Sequence, residues 1–158
     1  MLAPEHDRNS FSCGVEPLDS YFRERAGQDV KRRVSNCFVL VDGEGAVAGF
    51  YTFAATSLPL TELSEPEKKR LPRYPLLPAA LIGRLVIDKR FQGHGLGGAL
   101  VFDAVLRASR GDPAIFALIV DAKDETAAAF YRHLEFRSFE SRPLSLFIPL
   151  ETALRALM

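Results

Sequence analysis

At 158 residues and 47% apolar composition, the chain is long enough for one domain with a sizeable core. Lys plus Arg matches Asp plus Glu at 20 each, so no global field draws it to nucleic acid or to a membrane surface. No apolar run approaches spanning length. Cys13 and Cys37 lack paired spacing and no secretory signal is seen, which points to a reducing cytoplasm. His6, His94 and His133 are scattered, so no metal site is expected.

In chain order, residues 17 to about 30 read as a helix, with proline at its start and Leu18, Tyr21 and Phe22 on one face. Residues 36–41 and 46–54 read as strands joined by Asp42-Gly43-Glu44-Gly45, a hairpin signal. An insertion from about 56 to 78 follows, punctuated by prolines, in which Ser64-x-x-Glu67 opens a short helix as a capping box. A central strand is expected over about 80–87. A glycine-rich bend then leads into a helix ending near Ser109, whose Asp103, Arg107 and Arg110 share a polar stripe and leave the rest for burial. Residues 115–120 read as a strand. The next helix begins near Asp124, with Asp121 and Asp124 as acceptors for its free N–H groups. Closing strands are expected near 136–139 and 144–150. This order fits an α/β fold, a mixed sheet with helices on both sides, formed as a single domain over 1–158.

The bend Arg90-Phe91-Gln92-Gly93-His94-Gly95-Leu96-Gly97-Gly98 is the most informative stretch. Strand, glycine-rich turn and helix make an anion cradle. Glycine permits positive φ, the backbone N–H groups converge, and the helix N-terminus adds partial positive charge. A diphosphate is the natural guest. A P-loop would need Lys-Ser/Thr after the last glycine, where Leu96-Gly97 stands. Gly93, Gly95 and Gly98 fit G-x-G-x-x-G, but no βαβ unit opens the chain and the segment from Pro113 to Val120 carries no acid until Asp121. The third pattern, Arg/Gln-x-x-Gly-x-Gly/Ala, fits Arg90, Gly93 and Gly95. On its own the loop is also compatible with a plain glycine turn.

Downstream, residues 124–136 put Ala127, Phe130, Tyr131 and Leu134 on one helix face at i, i+3, i+4, i+7. Alone, this helix reads equally as a core helix with Tyr131 merely packed. Together the two segments resemble the GCN5-related N-acetyltransferase (GNAT) family, whose late helix carries N/D-x-x-A-x-x-F-Y-x-x-x-G-F. The resemblance implies a GNAT fold, with a central mixed sheet of six to seven strands, helices on both faces and a splayed central strand pair. It also implies acetyl-CoA as acyl donor, with no metal. The pantetheine arm would pair with the backbone of Leu85, Val86 and Ile87, whose apolar side chains would also dry the site. Arg90, Gln92, Gly93, His94, Gly95, Leu96, Gly97 and Gly98 would hold the pyrophosphate. Asp124 would lie near the pantetheine and Phe130 beside the cofactor. Tyr131 would face the sulfur and protonate the departing thiolate, since a phenol with pKa near 10 stays protonated at neutral pH. No acid announces itself as a general base. An α-amine, with pKa near 8, needs none, which favours an α-amine acceptor.

A closer resemblance lies in the flanks. Phe11-Ser12-Cys13-Gly14-Val15-Glu16-Pro17-Leu18-Asp19-Ser20-Tyr21-Phe22 is similar to the opening of acetyltransferase toxins of bacterial toxin–antitoxin modules. Leu71-Pro72-Arg73-Tyr74-Pro75, Gly83-Arg84-Leu85-Val86-Ile87-Asp88, Ala122-Lys123-Asp124-Glu125 and the tail from Pro143 to Leu150 match further blocks. This resemblance implies acetylation of the α-amino group of aminoacyl-tRNA and a block to translation in the bacterial cytoplasm. It also implies a ribbon-helix-helix antitoxin and, frequently, a homodimer. Lys31, Arg32, Arg33, Arg73 and Arg84 are the candidate tRNA contacts. Each cluster is equally compatible with an ordinary solvated face. Other readings are an acetyltransferase for a small amine or protein N-terminus, and a non-catalytic acyl-CoA sensor. Two departures stand out: Glu135 replaces the usual glycine at the helix stop, and His94 replaces a commoner Arg or Lys.

Overall fold

The structure, a computed structural model, describes residues 1–157. Its helices are α1 (Glu16–Glu24), α2 (Ala26–Lys31), α3 (Glu65–Lys69), α4 (Leu96–Arg110), α5 (Glu125–His133) and α6 (Leu150–Leu157). Its strands are β1 (Asn36–Val41), β2 (Val47–Pro59), β3 (Leu76–Ile87), β4 (Ala117–Asp121), β5 (Arg137–Ser138) and β6 (Ser145–Pro149). They form one mixed six-stranded sheet in the order β1-β2-β3-β4-β6-β5, flanked by the helices. The chain groups into two compact units. One comprises Met1–Ala54 with Ile82–Ala104, the other Ala55–Leu81 with the described residues from Val105 onward.

In the first unit, Phe22 stacks on Phe50 at 4.2 Å and Phe11 meets both edge-on at 4.9 and 5.4 Å. Tyr21, Ala26, Cys37, Val47 and Val86 complete this core. The hairpin expected at Asp42 forms. Asp42 Oδ1 accepts from the N–H groups of Glu44 and Ala46 (2.9 and 2.8 Å), and Gly45 sits at φ +86°. The helix expected over 17–30 is instead two helices, broken at Arg25 with φ −121°. The break lets Ala26 be fully buried, while the Tyr21 hydroxyl bridges it by donating to Asp29 at 2.7 Å. In α4 the expectation of a buried apolar remainder fails at Phe102, which is 40% exposed, and Asp103 accepts a hydrogen bond from the Tyr51 hydroxyl.

In the second unit, Leu58, Leu63, Leu77, Ala79, Ala117, Ile119, Phe139 and Phe147 form the core. Because Leu58, Leu77 and Ala79 are buried at strand spacing, β2 and β3 extend into the region read as an insertion. That leaves residues 60–75 outside the strands, with a 3-10 turn (Leu60–Glu62) and α3 as their regular elements. The capping box forms as expected: Ser64 Oγ accepts from the Glu67 N–H, and the Glu67 carboxylate accepts from the Ser64 N–H at 3.0 Å. Asp121 does not cap α5. It ends β4 and accepts from the Ser145 hydroxyl at 2.8 Å. Both closing strands are shorter than expected, and β6 stops at Pro149 because Leu150 begins α6, a helix that had no counterpart in the expected elements. Its signal was present as Leu150, Ala153, Leu154 and Leu157 at i, i+3, i+4, i+7 after Pro149.

Candidate active site

The cradle at the end of β3 is held by two buried carboxylates. Asp88, 1% exposed, accepts from the N–H groups of Ser12 (3.0 Å) and Arg90 (2.8 Å). It also accepts from the Arg90 guanidinium through Nε (3.0 Å) and Nη2 (3.2 Å). Burial works against its charge, but these bonds outweigh burial and hold the carboxyl below the usual carboxylate range. Asp19, 3% exposed, accepts from the Cys13 N–H at 2.9 Å, and the Lys89 N–H donates to the Ser12 carbonyl at 2.8 Å. The strap of residues 11–14 is thereby tied to the base of the loop, with Phe11 sunk into the aromatic core. The opening motif therefore has a structural reason: its acid, its backbone and its phenylalanine all secure the loop that follows β3.

Beyond the anchor the loop is open. Gly93 and Gly95 take φ +83° and +75°, and nothing lies within 4 Å of where a Cβ would stand at either. Residues 92–95 are exposed, and the Gly95 carbonyl accepts from the Ala99 N–H as α4 begins. The first N–H groups of α4 have no acceptor within the helix, so with the glycine backbone they offer donors to an anion. This is the geometry a pyrophosphate requires.

Three details bear on how these residues can act. The Arg90 guanidinium is forked onto Asp88, so its charge is already matched within the protein. The Gln92 side-chain amide donates to the Ile87 carbonyl at 3.0 Å, closing the loop on the last residue of β3. Val86 turns its side chain into the first unit's core, so it cannot dry a cofactor site, and only Leu85 and Ile87 point to the other face. The backbone approach at this level is close. A Cβ at Gly49 would lie 2.7 Å from Ile87 Cδ1 and 3.0 Å from the Val86 carbonyl oxygen, so glycine is needed there.

Tyr131 belongs to the second unit. It is 6% exposed, with ring centroids 5.0 Å from Phe130 and 5.5 Å from Phe136. Burial pushes its phenol up to about 12. The hydroxyl bonds to no described residue, yet no buried side-chain polar atom among the described residues lacks a partner. The oxygen therefore lies at an accessible surface while its ring is packed. Asp124 caps the helix, its carboxylate accepting from the Ala127 N–H at 2.8 Å. At the other end, Glu135 is forced to φ +74°. The Phe136 N–H donates to the Tyr131 carbonyl (3.1 Å) and the Glu135 N–H to that of Arg132 (2.9 Å), a Schellman ending with the Tyr131–Phe136 contact beneath it.

Residues 33–138 match the acetyltransferase (GNAT) domain. The chain belongs to the GNAT acetyltransferase family. It is 35% identical over 159 residues to a tRNA-acetylating toxin of Mycobacterium tuberculosis, covering 99% of this chain and 93% of the relative. It is 30% identical over 163 residues to a probable toxin TacT of Sinorhizobium fredii, covering 97% and 90%. Among solved structures, AtaT complexed with acetyl-methionyl-tRNAfMet superposes with a TM-score of 0.88 at 26% identity, covering 99% of this chain and 95% of that one. AtaTR bound with AcCoA superposes at 0.79 with 26% identity, covering 98% and 93%.

As a GNAT N-acetyltransferase the protein uses acetyl-CoA as its acyl donor, and the open glycine cradle suits the pyrophosphate of that donor. Among the described residues no group of three or more His, Cys, Asp or Glu could hold a metal ion, and no helix is long and apolar enough to cross a membrane. Cys37 is buried, which pushes its thiol up to about 12, so it is inert packing. Of the candidate tRNA contacts, Lys31, Arg32 and Arg33 are exposed together at the end of α2, with Arg33 at φ +61°. Arg73 is exposed in the second unit, and Arg84 is half-buried on β3. Asp19, Asp88 and Ser12 lie within the matched blocks, but neither the burial of the two acids nor the Ser12 N–H donated to Asp88 is legible from type or spacing.

Proposed function

We propose that this GNAT enzyme moves acetyl from acetyl-CoA to the α-amino group of aminoacyl-tRNA, acting in the bacterial cytoplasm as the toxin of a toxin–antitoxin pair. The end-to-end likeness to a tRNA-acetylating toxin, over 99% of the chain, carries this reading. The antitoxin is of the ribbon-helix-helix type, and the active species is a homodimer of single-domain chains. In the reaction the neutral amine attacks the thioester carbon, and the tetrahedral adduct collapses with cleavage of the C–S bond. The leaving sulfur takes a proton from Tyr131, the amine's own proton goes to water, and the phenol is restored from solvent. A buried ring with an accessible hydroxyl suits that role, because the residue remains protonated at neutral pH. Leu85 to Ile87 guide the pantetheine arm through backbone, Gln92 to Gly98 neutralise the pyrophosphate, and Phe130 and Asp124 flank the donor. Lys31, Arg32, Arg33 and Arg73 supply salt-dependent attraction to the RNA.

The deciding experiment is transfer of labelled acetyl to charged and to deacylated tRNA. Label is expected only on charged tRNA, lost when its α-amine is blocked. Equal labelling of deacylated tRNA would overturn the α-amine acceptor, and preferential labelling of polyamines or peptide N-termini would favour a small-amine enzyme.

A further inference from the structure

Arg84 is a cation with an unusual setting. Its position on β3 alternates with the buried Ile82 and Val86, so its side chain lies on the core side of the sheet, where the carbon of its guanidinium sits 3.5 Å from the centroid of the Tyr21 ring. Its backbone N–H donates to Thr52 Oγ1 at 2.9 Å, and a Cβ at neighbouring Gly83 would lie 2.9 Å from that same oxygen, so β3 is tightly located here. Tyr21 is itself fixed, 3% exposed, with its hydroxyl on Asp29 at 2.7 Å. The guanidinium therefore rests on a ring that has little freedom to move.

What it lacks is a hydrogen-bond acceptor. Arg84 forms no side-chain hydrogen bond or ion pair with any described residue, unlike Arg90, Arg132 and Arg137, each of which is forked or paired to a carboxylate. No fully buried side-chain nitrogen among the described residues is unpartnered, so its N–H edges reach the surface. A stacked guanidinium with a free edge presents two parallel donors in a fixed plane, the arrangement that binds a phosphodiester in bidentate fashion. The exposed Lys31, Arg32 and Arg33 close α2, the helix to which Tyr21 is tied through Asp29, so the surrounding field is suited to a polyanion.

We propose that Arg84, held flat by Tyr21, is a positioned receptor for a phosphodiester of the RNA substrate, distinct from the flexible charges that merely attract it. This deepens the tRNA reading and rests on it. The test measures binding of deacylated tRNA as a function of salt for the parent, Arg84→Ala, Arg84→Lys, and Arg110→Ala as an equal charge change at the end of α4. Deacylated tRNA carries the phosphates without an acceptor amine, so the result is independent of acetyl transfer. Arg84→Ala is expected to weaken binding roughly tenfold at moderate salt and to reduce the slope of log K against log salt by about one. Lysine keeps the charge but cannot lie stacked with a planar fork, so Arg84→Lys is expected to recover less than half of that loss.

Arg84→Gln repeats the measurement if the alanine variant melts early. With aminoacyl-tRNA and a minimal aminoacyl-adenosine compared as acceptors, the loss in kcat/KM is expected to be at least about fivefold greater for the full tRNA. An unchanged slope in Arg84→Ala, a slope loss as large in Arg110→Ala, or full recovery by lysine would each overturn the proposal. Weakened binding only to an acidic protein partner, with tRNA binding intact, would do the same. An Arg84-dependent slope without acetyl transfer to tRNA would leave this receptor standing and remove the acetylation reading instead.

Discussion

The loop after β3 and the helix carrying Tyr131 reach order by different physics. Around the loop, Asp19 gathers the nearby Cys13 N–H and Asp88 the sequence-distant Ser12 N–H, and the working surface is bare backbone that side chains stay away from. Around Tyr131, Phe130 and Phe136 pack on the ring and no polar partner is supplied, so the working group is one oxygen at the edge of an apolar patch. A site of the first kind fails when an acceptor is deleted, because several donors are orphaned at once. One of the second kind tolerates almost any change that preserves shape, yet loses its chemistry with a single atom. Substitutions that separate shape from polarity therefore probe the two regions in opposite ways.

The largest separation is expected from Tyr131→Phe. The hydroxyl holds nothing in place, so the helix and its aromatic contacts should persist and the thermal midpoint should move by no more than about 1 °C. Turnover of acetyl transfer should fall roughly 10²–10⁴-fold, while affinity for acetyl-CoA by calorimetry changes little. Undiminished turnover would take Tyr131 out of the mechanism. Asp88→Ala should act the other way, chiefly on the fold. It leaves the Ser12 and Arg90 N–H groups and a guanidinium without their acceptor, at a cost of about 3 kcal/mol read from the urea midpoint. Acetyl-CoA affinity should drop with it, since the loop loses its tether. Asp88→Asn, which keeps one acceptor oxygen, should lie between.

Much of this division was visible in the residues. The glycine spacing of 93, 95 and 98 and the periodic face of Ala127, Phe130, Tyr131 and Leu134 are local signals, and both elements formed where expected. The capping box at Ser64 and Glu67 and the hairpin at Asp42 are local in the same sense. What stayed hidden depends on contacts between distant segments. Nothing in the type or spacing of Asp88 shows that Ser12, 76 positions earlier, donates to it, nor that Arg84 will lie on Tyr21. The break at Arg25 and the extension of β2 to Pro59 follow from the burial of Ala26 and Leu58, where tertiary packing overrides local preference. Helix α6 differs, because its periodicity was present after the expected strand but its short stretch was assigned to no element.

Glu135 sharpens the comparison at smaller scale, since here the second region carries strain that the first avoids by using glycine. Gly93 and Gly95 take positive φ without penalty, whereas Glu135 holds φ +74° against the clash of its own Cβ. Both hydrogen bonds of the Schellman ending are backbone bonds that glycine would keep. Glu135→Gly should therefore stabilise the protein by about 0.5–1 kcal/mol, the relief of strain exceeding the added freedom of the unfolded chain. A rise of about 1–4 °C in the melting midpoint would register it. Glu135→Ala, which keeps the Cβ, should give none of this gain, and equal gains from both would assign the effect to the lost charge.

The smallest effect is expected at Glu67, where a polar anchor of the first region's kind occurs on the surface of the second unit. Its carboxylate receives both terminal nitrogens of Arg137, at 3.0 and 2.7 Å, as well as the Ser64 N–H. The Arg137 bonds lead in pulling its carboxyl down from 4.5 to about 2, with the Ser64 bonds adding to them against a modest opposing effect of burial. The folded state thus releases this proton more readily than the unfolded chain. The stabilisation is present above pH 4.5 and fades as pH falls from there through about 2, below which both states are protonated. Arg137 is about half exposed, so solvent screens the pair and its contribution at neutral pH is small, within the range of roughly 0–1 kcal/mol for surface pairs. Glu67→Gln retains an amide oxygen to cap Ser64 and removes only the charge. Melting curves of parent and variant should differ slightly at pH 6, converge as pH falls below 4.5, and coincide only below about pH 2. A difference that grew on acidification would show that the Arg137 fork does not stabilise this end of β5.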